Sequence, residues 1–261
     1  MCWNERHHSI LEEMGIRLFE PGPHLPAGET RTPLPPAGRG EGAAAAAPDL
    51  AGVQASLAER PGRPEGVESM DWAALRAAVE ACTACKLCKG RTRTVFGVGH
   101  PRSHWMVVGE APGEQEDLRG EPFVGKSGQL LDAMLRSIGL TRAEGEAPDP
   151  ATQVYIANTV KCRPPGNRNP EPEELAQCEP FLIRQIELLQ PKIILAMGRF
   201  AVQSLLRTDE AIGRLRGRVH RYRGVPLIVT YHPAYLLRNL DDKAKAWDDL
   251  CLALQTVAAP A

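Results

Sequence analysis

The chain has 261 residues and a formal net charge of −1, enough for one domain of about 200 residues with an extension but without the global basic field of many nucleic-acid binders, so any such contact must use a local patch. No apolar run approaches the roughly 18 residues that span a bilayer, and the first residues, MCWNERHHSILEEMG, lack the apolar stretch of a signal peptide. Seven cysteines, an odd number, with no export signal lead us to expect a cytoplasmic protein with reduced or metal-bound thiols.

Residues 5–18 carry Ile10, Leu11, Met14, Ile16 and Leu18, a candidate amphipathic helix too short to be stable alone. Residues 1–20 thus read as a short peptide suited to docking on a partner. Residues 21–68 hold nine Pro, eight Gly and the run Ala43 to Ala47. That composition cannot bury a core, and a disordered linker is expected. The globular domain is expected over 69–261.

Within that domain a helix from Asp71 runs through Trp72, Leu75 and Val79 towards Cys82. The first strand is expected at 105–109 and a helix at 128–138, capped by Ser127. A second strand is expected at 154–158. A helix follows from Pro172 to Leu189, with a break at Pro180 in question. The third strand is 192–197, followed by a helix to Leu206. Residues 217–224, GRVHRYRG, read as a small hairpin or extra strand. The fourth strand is 227–230, and a last helix spans about 242–257. Alternating strands and helices give an α/β fold, a central parallel four-stranded sheet flanked by helices. Its strand ends should deliver loops 109–126, 158–171 and 231–240 to one rim, where open sheets bind ligands.

The first of those loops lies in GEAPGEQEDLRGEPFVGKSGQLL, Gly109 to Leu131. Glycines and prolines frame Glu110 and Phe123, which is more shape than a solvated acidic loop needs. The third loop, HPAYLLRN from His232, sets three bulky side chains, Tyr235, Leu236 and Leu237, beside Arg238. Apolar wedges beside a cation suit insertion into a base stack. Lys86, Lys89, Arg91, Arg93, Lys161, Arg163, Arg168 and Arg238 lie near these loops, and could form a local phosphate-binding rim.

Cys82 and Cys85 are a C-x2-C pair, and so are Cys85 and Cys88. Cys162 and Cys178 follow on a loop and a helix. Four thiolates suit zinc or a 4Fe–4S cluster, and spacing does not choose. It also leaves Cys82 and Cys88 as competing ligands. Cys2 and Cys251 are remote in sequence and read as plain thiols.

Over residues 80–255 these motifs resemble the family 4, iron–sulfur uracil-DNA glycosylases: GEAPGEQED with EPFVGKSGQLL, VYIANTVKCRPP and HPAYLLRN occur in the family's order. The resemblance implies a uracil-DNA glycosylase-like fold and a 4Fe–4S cluster on Cys82, Cys85, Cys162 and Cys178. It implies hydrolysis of the N-glycosidic bond of uracil in single- or double-stranded DNA, initiating base excision repair by a monomer. The catalytic set would be His232, Glu110 and Asn158. The base would meet Ala111, Glu116, Phe123, Asn158 and His232, and the DNA would meet Arg163, Arg168, Tyr235, Leu236, Leu237 and Arg238. Phe123 would stack on the pyrimidine and Asn158 read its edge. Glu116 would crowd the C5 edge, and Ala111 stands where the classic enzymes place a water-activating aspartate. Glu110 argues against the family 5 branch, apolar at that position, and no long basic insertion with a His follows Cys162, so ordinary turnover is expected. The 5–18 peptide would dock on a replication or repair protein. Two other classes are a non-catalytic iron–sulfur DNA-binding or replication-associated module, and a zinc nucleotide hydrolase or deaminase. The deaminase motif is not found.

Overall fold

The structure, a computed structural model, describes residues 63–143 and 149–258. The expected peptide at 5–18, most of the 21–68 linker and Cys2 lie outside those residues. Val67, expected in the linker, is 3% exposed and packs among Leu75, Val79 and Phe181. One apolar residue of the connecting segment thus joins that core.

The strands are β1 (Trp105–Gly109), β2 (Val154–Asn158), β3 (Ile193–Met197), β4 (Val219–Tyr222) and β5 (Val225–Thr230). They form one sheet in the order β2-β1-β3-β5-β4. The first three and β5 are parallel, whereas β4 pairs antiparallel with β5. The expected four-stranded parallel sheet is thus corrected to a five-stranded mixed one. Arg223 and Gly224, at φ of 47° and 87°, supply the two left-handed residues of a tight hairpin turn that returns β4 to the edge.

The helices are α1 (Trp72–Ala81), α2 (Glu114–Arg119), α3 (Lys126–Ser137), α4 (Pro172–Leu189), α5 (Arg199–Leu206), α6 (Ile212–Leu215), α7 (Pro233–Leu236) and α8 (Asp242–Ala258). Strand side chains alternate between faces. Trp105 and Val107 join Leu131, Met134, Trp247 and Leu250 of α3 and α8, and Met106 and Val108 join Leu182, Ile186 and Val202 of α4 and α5. Each such fully buried aliphatic or aromatic side chain stabilises the fold by roughly 1.5–3 kcal/mol over an exposed one. A third cluster, beside the sheet, packs α1 against Val160, Phe181, Cys162 and Cys178.

Three local expectations change. The loop after β1 contains α2, whose acidic first turn, Glu114, Glu116 and Asp117, suits the positive end of the helix dipole. Asp117 is buried and accepts from the Thr92 and Arg93 backbone N–H groups, so this helix anchors the chain leading to β1. Helix α3 starts at Lys126 with Gly125 as its cap, not Ser127. Pro180 lies inside α4 without ending it. The backbone hydrogen bond lost there is offset by Phe181, Leu182, Ile186 and Leu189, all buried on that helix.

Candidate active site

The four parallel strands end on one side of the sheet, and the order β2-β1-β3 puts a topological switch point beside β1. A cleft opens there, with a cavity of about 760 Å³. Glu110 follows β1, Asn158 closes β2, Gly198 and Arg199 follow β3, and Tyr231 and His232 follow β5; all line the cavity. Ala111, Glu116, Phe123, Arg168, Tyr235 and Arg238 line it as well. Sequence reasoning missed Arg199 and the Ala211–Gly213 stretch on the rim. The pattern G-R-F-A at the start of α5 carries no motif signal, and only the sheet order brings it to the cleft.

Asn158 is 2% exposed, and its Oδ1 has no hydrogen-bond partner. A buried amide oxygen left open is costly unless a ligand fills it. Gly109, its register partner on β1, makes room for the amide: a Cβ there would sit 2.4 Å from Asn158 Oδ1 and 2.7 Å from the Phe123 ring.

Phe123 takes φ of 54°, a strained conformation for a bulky side chain. Arg142 holds it there. Its Nη1 donates to Pro122 O and its Nη2 to Phe123 O, both at 2.7 Å, and Nη2 also meets Asp132 at 2.9 Å. Gly128 permits the turn, since a Cβ there would fall 1.7 Å from Phe123 O. Phe123 is thereby buried against His232, ring centroids 5.3 Å apart. That gap admits no third ring, so a base stacked on Phe123 must use phenyl surface that the imidazole leaves uncovered.

His232 caps α7. Its Nδ1 accepts from Ala234 N–H at 3.1 Å, so the neutral ring carries its proton on Nε2. Burial, with Arg238 nearby, pushes its pKa down to about 4. Gly198 makes room: a Cβ there would meet the His232 Cβ at 3.1 Å. Burial raises the Glu110 carboxyl above its usual range, and Arg199 only partly offsets this. Glu116 accepts from Val124 N–H at 3.1 Å, strapping α2 to the Phe123 turn, while Ala111 has no group to act on a proton.

The expected DNA-contact residues divide. Leu236 is 0% exposed and packs in the core against α3 and α8 rather than at the rim. The turn of α7 points it inward and leaves its neighbour Leu237 outside, 42% exposed. Tyr235 donates to Asp242 at 2.7 Å and stacks on Tyr231. Arg168 is held by two bonds, 2.6 and 2.9 Å, to the buried carboxylate of Glu174. Arg163 bonds Asn167 and lies 3.5 Å from Glu114, outside the cavity lining.

Outside the lining of that cleft, Cys82, Cys85, Cys88, Cys162 and Cys178 ring one small cavity with Arg91, Lys161 and Gln177. The chain segments that carry them are far apart in sequence and meet through the third core cluster. Arg91 Nη1 donates to Cys162 Sγ at 3.2 Å, and Lys161 N–H donates to Cys178 Sγ at 3.4 Å. Burial raises the thiol pKa of Cys162 to about 11 and of Cys178 to about 12. Among the described residues no three His, Cys, Asp or Glu side chains are grouped to hold a metal ion. Five sulfurs around one cavity are a donor set for a larger thiolate-bound group. Cys251 lies on α8, outside that ring.

Residues 96–251 match the family model described as the uracil DNA glycosylase superfamily. The chain is 43% identical over 167 residues to a type-4 uracil-DNA glycosylase of Archaeoglobus fulgidus, covering 61% of this chain and 79% of that protein. It is 43% identical over 169 residues to one of Thermotoga maritima, covering 64% and 83%. A type-5 uracil-DNA glycosylase of Thermus thermophilus is 31% identical over 189 residues, covering 59% and 84%.

Proposed function

The chain belongs to the uracil DNA glycosylase superfamily, with its type-4 members among its relatives, and from that premise we propose that it hydrolyses the N-glycosidic bond of uracil in DNA, leaving an abasic site for base excision repair. The observation that carries this reading is the buried, unpartnered Asn158 Oδ1 beside the Phe123 and His232 rings. A base must leave the stack to reach such a site. Asn158 then accepts from uracil N3–H through Oδ1 and donates to O4 through Nδ2. Cytosine presents the inverse pattern and leaves both groups unpaired.

The scission leaves an oxocarbenium-like sugar and a uracil anion. His232 donates Nε2–H to O2 and stabilises the developing charge as a neutral ring. The anion needs no proton from it. Glu110, near the sugar side, faces the cationic ring carbon and can orient water. Glu116 stands by the C5 edge, where a thymine methyl would collide. Leu237, with Tyr235, fills the gap left by the flipped nucleotide, and Arg168, Arg199 and Arg238 meet phosphates at the rim. We assign the thiol cavity to a 4Fe–4S cluster on Cys82, Cys85, Cys162 and Cys178, which supplies cross-linking of α4, the 82–91 segment and the loop after β2 rather than a chemical step. Docking of the 5–18 peptide on a replication or repair protein, a monomeric state and a cytoplasmic location complete the proposal.

The test is uracil release from single- and double-stranded oligonucleotides. Release is expected on uracil-containing strands and none on the same strands carrying thymine. Binding without release would instead favour a non-catalytic DNA-binding module.

The pH profile is a second expected result. His232 is neutral above about pH 4, so its titration should not appear between pH 5 and 8. Burial of Glu110 places its titration above that of an ordinary carboxyl, and protonation as pH falls removes the charge that faces the sugar cation. The single-turnover rate should therefore be level near neutrality and fall on the acid side. Glu110→Gln should lower the plateau and remove that fall. An acid limb centred near 6.5 that disappears in His232→Ala would contradict the lowered pKa of His232.

A further inference from the structure

We propose that Lys161 is a positioning residue for the base-reading site: its buried side chain fixes the carbonyl end of β2 and so sets where the Asn158 amide meets the base. The inference rests on the glycosylase reading and adds to it a residue that touches neither base nor sugar.

Lys161 is 1% exposed, the kind of burial that an ammonium group almost never accepts without partners. Its Nζ donates to Asn158 O at 2.8 Å and to Gln185 Oε1 at 2.6 Å. Gln185, on α4 and 0% exposed, is itself fixed, since its Nε2 donates to Phe96 O at 2.8 Å and to the Tyr155 hydroxyl at 3.2 Å. The Lys161 main chain is held too: its N–H donates to Cys178 Sγ and its carbonyl accepts from Val95 N–H at 2.8 Å. Both ends of the lever are therefore clamped.

The other side of Asn158 is gripped by the sheet. Thr159 N–H donates to Gly109 O and Val160 N–H to Glu110 O, at 3.0 and 3.2 Å. The Asn158 carbonyl points the opposite way, because a trans peptide sets its C=O against the Thr159 N–H that faces β1. There it takes the Lys161 ammonium. Without it, a buried carbonyl would lose its partner, and the last peptide of β2 could turn to find another. An apolar residue would fill the same space for a purely structural role. An N–H donor of this length serves one added purpose, to hold that peptide plane and, one bond away, the Asn158 side chain.

The test uses the full chain and Lys161→Met, which keeps the length and removes the donor. Its single-turnover uracil release should be roughly 10- to 100-fold slower, as for a small misplacement of a reacting contact. Its affinity for free uracil should fall, while absorbance near 400 nm stays at the parent level. The decisive arm is a double-mutant cycle with Asn158→Ala. If Lys161 acts through Asn158, the double variant is no slower than Asn158→Ala, because neighbours acting as one unit are not additive. Parent-like release by Lys161→Met, or slowing that adds in full to that of Asn158→Ala, would overturn the inference. Should Lys161→Met not fold, Gln185→Leu withdraws the ammonium's other anchor without touching the pocket and enters the same cycle. A parent protein that releases no uracil sinks the glycosylase reading itself, whereas an active parent with an unchanged variant sinks only the role of Lys161.

Discussion

Asn158→Asp is expected to abolish most uracil release while leaving the fold intact. The substitution preserves size, and the side chain still lies over Gly109, where only a hydrogen atom leaves room for it. What changes is the pattern of donors and acceptors. The amide presents one of each to uracil. An ionised carboxylate presents acceptors only, and uracil O4 is then repelled. The site is buried, with Asn158 2% exposed, so water cannot make up the mismatch. A buried contact of this kind costs about 2–4 kcal/mol when left unpaired or charged, which corresponds to roughly a 30- to 900-fold slower reaction. A protonated aspartic acid could donate to cytosine N3 and accept from its N4 amino group, so a trace of cytosine excision is expected. His232→Ala should slow cleavage as well, yet leave the choice of base unchanged, because it acts on the leaving-group charge. Single-turnover release from uracil- and cytosine-containing oligonucleotides separates the two. Near-normal uracil release by Asn158→Asp would remove Asn158 from the base-reading role.

The second large effect is expected at the thiol cavity. Cys162 is 5% exposed and bonded by Arg91, and the third core cluster packs around it. Replacing it with Ser takes one thiolate from the proposed cluster, so the protein should lose its absorbance near 400 nm. Structural metal centres contribute on the order of 10 kcal/mol to small folds. Losing even half of that, about 5 kcal/mol, lowers the melting temperature of a domain this size by roughly 10–20 °C. Cys88→Ser is the control. Cys88 lines the same cavity but is not packed into the surrounding core, unlike Cys82 and Cys85. It should keep both colour and stability. Iron content, the visible spectrum and thermal melts of the two variants decide the matter. A colourless Cys88→Ser beside an unaffected Cys82→Ser would exchange the ligand assignment.

Elements that rest on local physics are legible in the run of residues. Apolar runs fixed β1, β2, β3 and β5 to within a few residues, and Gly-Pro framing marked the chain after β1 as a shaped ligand loop. The residues meant for the pocket, Glu110, Ala111, Glu116, Phe123, Asn158 and His232, do line one cavity, because each directly ends a strand or belongs to the loop or short helix that follows one. Their motifs could be read because strand ends are local features.

Other features depended on distance in space. Whether Leu236 or Leu237 faces outward is decided by the direction of a single helical turn relative to α3 and α8, which no run of four letters contains. The hairpin that adds β4 needed the left-handed pair Arg223 and Gly224 to meet the edge of a sheet built from residues far away. Arg142, nineteen positions after Phe123, reaches back to hold a strained turn, and Arg199 comes to the rim only through the strand order. Lys161 reads as one more surface cation in the run VKCRPP. Only tertiary packing buries it, because α4 lays Gln185 across the end of β2 and closes off the water that a lysine would otherwise keep.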